Sequence, residues 1–125
     1  MRITKFLVVA IIAGLFSINA NAQTDHLAVA NLAYEAQEYY KAITLLKKAY
    51  SKEKDKANKA EIIYKTAECY RYVNDMKQAE TWYRKALKLK YPEDKIQLYY
   101  AEALKANGKF EDAIVEYEKY AELVP

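Results

Sequence analysis

Two stretches of this chain carry one pattern, separated by residues 93–106. "NDMKQAETWYRKALKLKYP" begins at Asn74 and "NGKFEDAIVEYEKYAELVP" at Asn107. Aligned, Asn74 falls on Asn107, Ala79 on Ala113, Tyr83 on Tyr117 and Leu89 on Leu123. The two alanines lie 34 residues apart. Upstream, "QEYYKAITLLKKAY" repeats the alanine-centred half around Ala42, with Leu46 and Ala49 after it. A period of this size predicts stacked supersecondary units, none of which can bury its apolar face alone. Composition says which kind. Of two glycines and two prolines, Gly14 is early, leaving Gly108, Pro92 and Pro125 to interrupt a chain rich in Ala, Leu, Lys and Glu. That is an all-helical composition.

With alanines at this spacing, large residues after them and turn residues between, the sequence resembles the tetratricopeptide repeat, a helix–turn–helix unit of about 34 residues. The resemblance implies an all-α chain of three tandem units forming a short right-handed α-solenoid. The units are 23–59, 60–93 and 94–125, and the first is longer because extra residues fall in the charged stretch around Lys52–Asn58. The better-kept half reads Ala42, Ala79 and Ala113, then Leu46, Tyr83 and Tyr117, then Ala49, Ala86 and Tyr120. In the looser half the small position is Ala30, Ala67 and Ala101, and the large one Ala33, Tyr70 and Leu104. Alanines belong where two helices cross, because only a small side chain lets them approach. "ND" at 74–75 and "NG" at 107–108 supply turn residues that tolerate positive φ. Helices are expected near 24–37, 40–53, 60–73, 77–90, 94–106 and 110–123.

The first 22 residues read differently. "MRITK" is basic, "FLVVAIIAGLFSI" (Phe6 to Ile18) is apolar, and "NANAQ" offers small residues at Ala20 and Ala22. This is the pattern of a secretory signal peptide, residues 1–22, cleaved after Ala22. The run is too short to span about 30 Å of hydrocarbon as a helix; an uncleaved anchor is the alternative. No cysteine follows the apolar run, so a lipid-anchor route is not expected. Removing Arg2 and Lys5 takes the 20 basic residues to 18, interspersed with 17 acidic ones. Nucleic acid rewards clustered Lys and Arg, so it is not an expected partner. The most basic run, "KKAYSKEKDKANK", is broken by Glu53 and Asp55 and reads as a solvated helix end and loop. One cysteine makes no internal disulfide. Stability must come from apolar burial, to which 13 tyrosines contribute large amphipathic side chains.

The resemblance implies that a protein or peptide binds in a groove lined by the first helix of each unit. Spacings of three and four put Thr24, Leu27, Asn31, Tyr34 and Glu35 of the first unit on one such face. The second unit contributes Glu61, Tyr64, Glu68, Arg71 and Tyr72, and the third Lys95, Leu98, Glu102, Lys105 and Ala106. Aromatic anchors with both charge signs suit protein recognition. On this face Tyr64→Ala and Arg71→Ala are expected to weaken capture without unfolding the chain. Some family members clamp a partner's terminal carboxylates, but the clamp positions hold Leu27, Asn31, Lys65, Lys95 and Tyr99, of which only Asn31 and Lys95 match. A clamp is therefore not expected.

No enzyme is expected either. His26 and Cys69 are single, no H-E-x-x-H or glycine-rich phosphate loop occurs, and no metal or cofactor is implied. Trp82 reads as packing or a surface aromatic. In "AECYRYVND" the resemblance implies two faces: Ala67 and Tyr70 are its small and large packing positions and Cys69 a small buried one, while Glu68, Arg71 and Tyr72 face the groove.

The third unit ends at Pro125 without a polar capping helix, so Leu104, Ile114, Tyr117 and Leu123 are expected to keep unburied sides. The run from "AYEAQEYYKAITLLKKAY" through "FEDAIVEYEKY" is similar to the N-terminal region of OmpA-family envelope proteins of Bacteroidota, among them PorE-like proteins of type IX secretion. That similarity implies a periplasmic, outer-membrane-associated interaction module of a larger protein, contacting further domains through its third unit. A free-standing homodimeric adaptor is the alternative.

Overall fold

The computed structural model describes residues 25–125, so the expectations for residues 1–22 and for Thr24 lie outside it. It contains six helices: α1 (His26–Glu35), α2 (Tyr39–Lys52), α3 (Lys56–Tyr72), α4 (Met76–Lys88), α5 (Lys95–Ala106) and α6 (Phe110–Leu123). No strand occurs among the described residues, and none of their helices is long and apolar enough to cross a membrane. Each helix packs on the next in chain order, and α1 also touches α3.

One turn joins the two helices of each successive pair, and the same turn recurs at Lys90 after α4, where φ is 53° and the N–H groups of Lys90 and Tyr91 donate to Leu87 and Ala86. Gln37, Asn74 and Gly108 all sit at positive φ, at 60°, 61° and 78°. In each case that residue's N–H donates three residues back, to Tyr34, Arg71 or Lys105. The next N–H closes a wider ring onto the carbonyl of Ala33, Tyr70 or Leu104. This is the left-handed helix ending that satisfies otherwise orphaned carbonyls. The turn equates Asn74 with Gly108, correcting the pairing of Asn74 with Asn107 by one residue. The side chain of Asn107 does a different job: its Nδ2 donates to the Met76 carbonyl at 3.0 Å and to Glu80 at 2.7 Å.

The alanines lie where close approach requires them. Ala30, Ala67 and Ala101 are fully buried, as are Ala42 and Ala79, with Ala113 nearly so. Around them Leu46, Ile62, Tyr70, Trp82, Tyr83 and Ile96 form the core. Trp82 meets Tyr50 edge-on at 5.9 Å, so it is a packing residue.

Two expectations change. The stretch around 52–58 is not a loop through Asn58, because α3 starts at Lys56. Asp55 caps it, accepting from the Asn58 N–H at 2.9 Å, and Glu53 accepts from the N–H groups of Lys54 and Asp55. The two acids that interrupt the basic run therefore organise a short corner. Leu104 is buried, since it occupies the position of Ala33 and Tyr70 beside the turn of its own helix pair. Ile114 and Leu123 are exposed and Tyr117 half-buried.

Candidate partner-binding face

Helix α3 carries most of the chemistry, and its neighbours hold it in place. Midway along it the Lys65 ammonium donates to Asn31 Oδ1 at 2.9 Å and to Glu61 Oε1 at 2.6 Å. It also lies 5.4 Å from the centre of the Tyr34 ring. One lysine thus gathers three expected face residues, two of them on α1. Burial, followed by the charge of Glu68, pushes the Tyr34 phenol above its usual range. The Tyr64 phenol is pushed up for the same two reasons. Tyr64 stacks on Tyr91 at 4.8 Å, just past the end of α4. Tyr91 and Glu61 also line an open depression with Asp55, Asn58, Lys90 and Pro92.

Toward the C-terminal end of α3 a second cluster forms. The Tyr83 hydroxyl, arriving from α4, donates to the Glu68 carboxylate and accepts from Arg71 Nε at 3.0 Å. Arg71 Nη2 donates to the other Glu68 oxygen at 2.8 Å. Burial first, then the charge of Glu68 and its hydrogen bond, push the Tyr83 phenol far above its usual range. Burial opposes the charge on Arg71, but its hydrogen bond to Glu68 outweighs that and holds the guanidinium protonated. The guanidinium sits over two rings, 4.5 Å from the centre of Tyr72 and 4.0 Å from that of Tyr99. Tyr72 in turn stacks on Tyr39 at 4.5 Å with the planes only 12° apart. The result is a row, Tyr39–Tyr72–Arg71–Tyr99, that crosses from α2 to α5.

Glu68 is the correction within this face. Helical period puts it beside Arg71, but its side chain is only 5% exposed and is engaged by Tyr83 and Arg71. It orients Arg71 and is not itself offered outward. Tyr72, half exposed, and the outer edge of Arg71 are the accessible parts. Expected members on α5 stay apart. Lys95 and Lys105 are exposed, and Leu98 and Glu102 half-buried. Among the described residues no side-chain hydrogen bond or ion pair ties those four to the α3 clusters.

Lys65, Tyr83 and Tyr99 organise the face, yet sequence reasoning gave none of them that part. Lys65 and Tyr99 hold corresponding positions 34 residues apart, and Lys65 stands four residues after Glu61, which was the available signal. Cys69 lies behind the face, fully buried, and burial pushes its thiol up to about 12. It packs as a small apolar side chain. No three His, Cys, Asp or Glu side chains converge among the described residues, so none is assigned to a metal.

The chain matches no protein-family model and no curated protein.

Proposed function

We propose that this chain is a tetratricopeptide-repeat interaction module whose three helix pairs stack as a short solenoid and bind a protein or peptide across α1, α3 and α5. The observation that carries this reading is the turn repeated at Gln37, Asn74 and Gly108 with the same hydrogen bonds each time. Its 34-residue step from Asn74 to Gly108 is the family's period. The face suits recognition because its anchors are already ordered. Stacked tyrosines and a guanidinium clasped between two rings lose little conformational freedom on binding, and Tyr and Arg are the side chains that most often dominate interfaces. The resemblance of the leader to a signal peptide, and of the repeats to OmpA-family envelope proteins, assigns the module to the periplasm at the outer membrane. There it would serve as part of a larger envelope protein, linked through the PorE-like resemblance to type IX secretion.

Photocrosslinking in intact cells tests the reading. A crosslinking residue at Tyr72 should trap a discrete envelope protein, whereas one at Thr44, exposed on α2, should not. Adducts formed equally from both positions, or none from Tyr72, would overturn it. An adduct with a cytosolic protein alone would overturn the location.

A further inference from the structure

Two cations on α3, Lys65 and Arg71, are neutralised where they stand. Glu61 pairs with Lys65 at 2.6 Å and Glu68 with Arg71 at 2.8 Å. The two pairs carry no net charge, but they leave donors over. Arg71 uses its Nε hydrogen and one hydrogen of Nη2 on Tyr83 and Glu68, so three of its five N–H groups remain. Lys65 uses two of its three on Asn31 and Glu61. Every buried side-chain nitrogen and oxygen among the described residues has a partner, so these spare donors open to solvent. Acceptors are scarcer. Both Glu68 oxygens are taken by Tyr83 and Arg71, and the Asn31 oxygen and one oxygen of Glu61 accept from Lys65.

Aromatic rings line the same stretch. Tyr64 stacked on Tyr91 lies at one end and Tyr72 stacked on Tyr39 at the other. Tyr34 sits beside Lys65 between them. Burial and the charge of Glu68 raise the Tyr34 phenol, and Tyr72 and Tyr39 are near enough to add to it. Tyr64 is raised by burial, by Glu68 and then by Tyr34, which places these rings on one continuous surface. Tyr64 and Tyr72 are eight residues apart on one helix, about 12 Å along its axis.

We infer that the occupant of this face is an uncharged, proline-rich segment of a partner, bound as a polyproline II helix. The inference deepens the proposed interaction role and rests on it. Such a helix rises about 3.1 Å per residue, so about four residues reach from one ring pair to the other. Its carbonyls have no internal partners, and proline brings no N–H. It therefore asks for donors and flat apolar surfaces and for almost no acceptors, which is what the face holds. Pre-ordered segments of this kind dock on aromatic-lined grooves with little loss of entropy. Other occupants fit less well. A terminal carboxylate or a phosphate needs a cation whose charge is unmet, and both cations are met. An ordinary extended peptide brings an N–H at each residue. A sugar could stack on the rings, but its hydroxyls bring donors to a face whose acceptors are mostly engaged.

NMR titration of the purified protein with a blocked octaproline peptide tests the inference. Shifts should saturate below about 1 mM and cluster on α1 and α3. Tenfold more salt should change the affinity by less than about twofold, because no net charge is matched. Tyr72→Ala should weaken binding at least about fivefold with an unchanged thermal melt, since Tyr72 is exposed. Tyr64→Phe keeps the ring stack and loses one hydroxyl donor, and should weaken binding about threefold. No saturable binding up to about 1 mM would overturn the inference. Tighter binding of an N-acetylglucosamine tetramer, or of an octapeptide carrying glutamates, would assign the face to a sugar or an acidic segment and overturn it too. A photocrosslinked envelope protein without a proline-rich run would overturn this inference alone and leave the interaction role standing.

Discussion

Arg71 illustrates how one side chain can belong to both a surface and a core. Its outer edge faces solvent between Tyr72 and Tyr99, while its inner nitrogens neutralise Glu68, whose side chain is almost fully buried. Arg71→Ala therefore leaves a buried carboxylate without its cation, a change that costs about 3 kcal/mol. Tyr83→Phe removes one hydroxyl from the same carboxylate and should cost about 1–2 kcal/mol. Chemical denaturation should rank them in that order, with Tyr72→Ala near the parent. A loss of partner binding in Arg71→Ala would thus mix instability with recognition, and Tyr72→Ala is the cleaner probe. Glu80 gives a pH signature. Burial alone would raise its carboxyl, but hydrogen bonds from Lys109 and Asn107 bring it below the ordinary 4.5. A carboxyl held low when folded contributes stability above its unfolded value, and that contribution fades as pH falls through the folded one. Melting temperature should therefore fall on acidification below about pH 4.5, and less steeply in Glu80→Gln; equal slopes would remove Glu80 from the acid response.

At the scale of the helix and its turn, the sequence was most legible where sterics leave one choice. Ala42, Ala79 and Ala113 were readable because a crossing of two helices admits nothing larger, and all three are buried. The turns were less legible, since Asn107 and Gly108 both suit a left-handed position and only the backbone shows that Gly108 takes it. Gln37 carried no turn signal at all, yet it adopts φ 60° because the rings closing onto Tyr34 and Ala33 demand it. The start of α3 was misread because Asp55 looks like an interruption of lysines until its carboxylate is seen capping the helix. The face shows the same limit. The resemblance correctly separates Cys69 from Arg71, but it cannot reveal that a tyrosine on the next helix will claim Glu68. These turns predict opposite responses to small substitutions. Gly108→Ala meets no atom within 4 Å, so its cost, about 1 kcal/mol, is conformational. Gln37→Gly should be neutral or stabilise by up to about 1 kcal/mol, because it relieves a side chain held at positive φ. Denaturation midpoints shifting at constant slope would verify both; a destabilised Gln37→Gly would mean that the glutamine side chain makes contacts that hold the turn.

For the molecule as a whole, each helix packs on the next in chain order, so the inner helices have neighbours on two sides and should be held most firmly. Helices α3 and α4 contribute Ile62, Thr66, Cys69 and Tyr83 to the fully buried set, whereas Ala113 is the one buried residue of α6. Amide exchange at low protein concentration should accordingly be slowest in α3 and α4 and fastest in α6, where opening requires breaking one junction only.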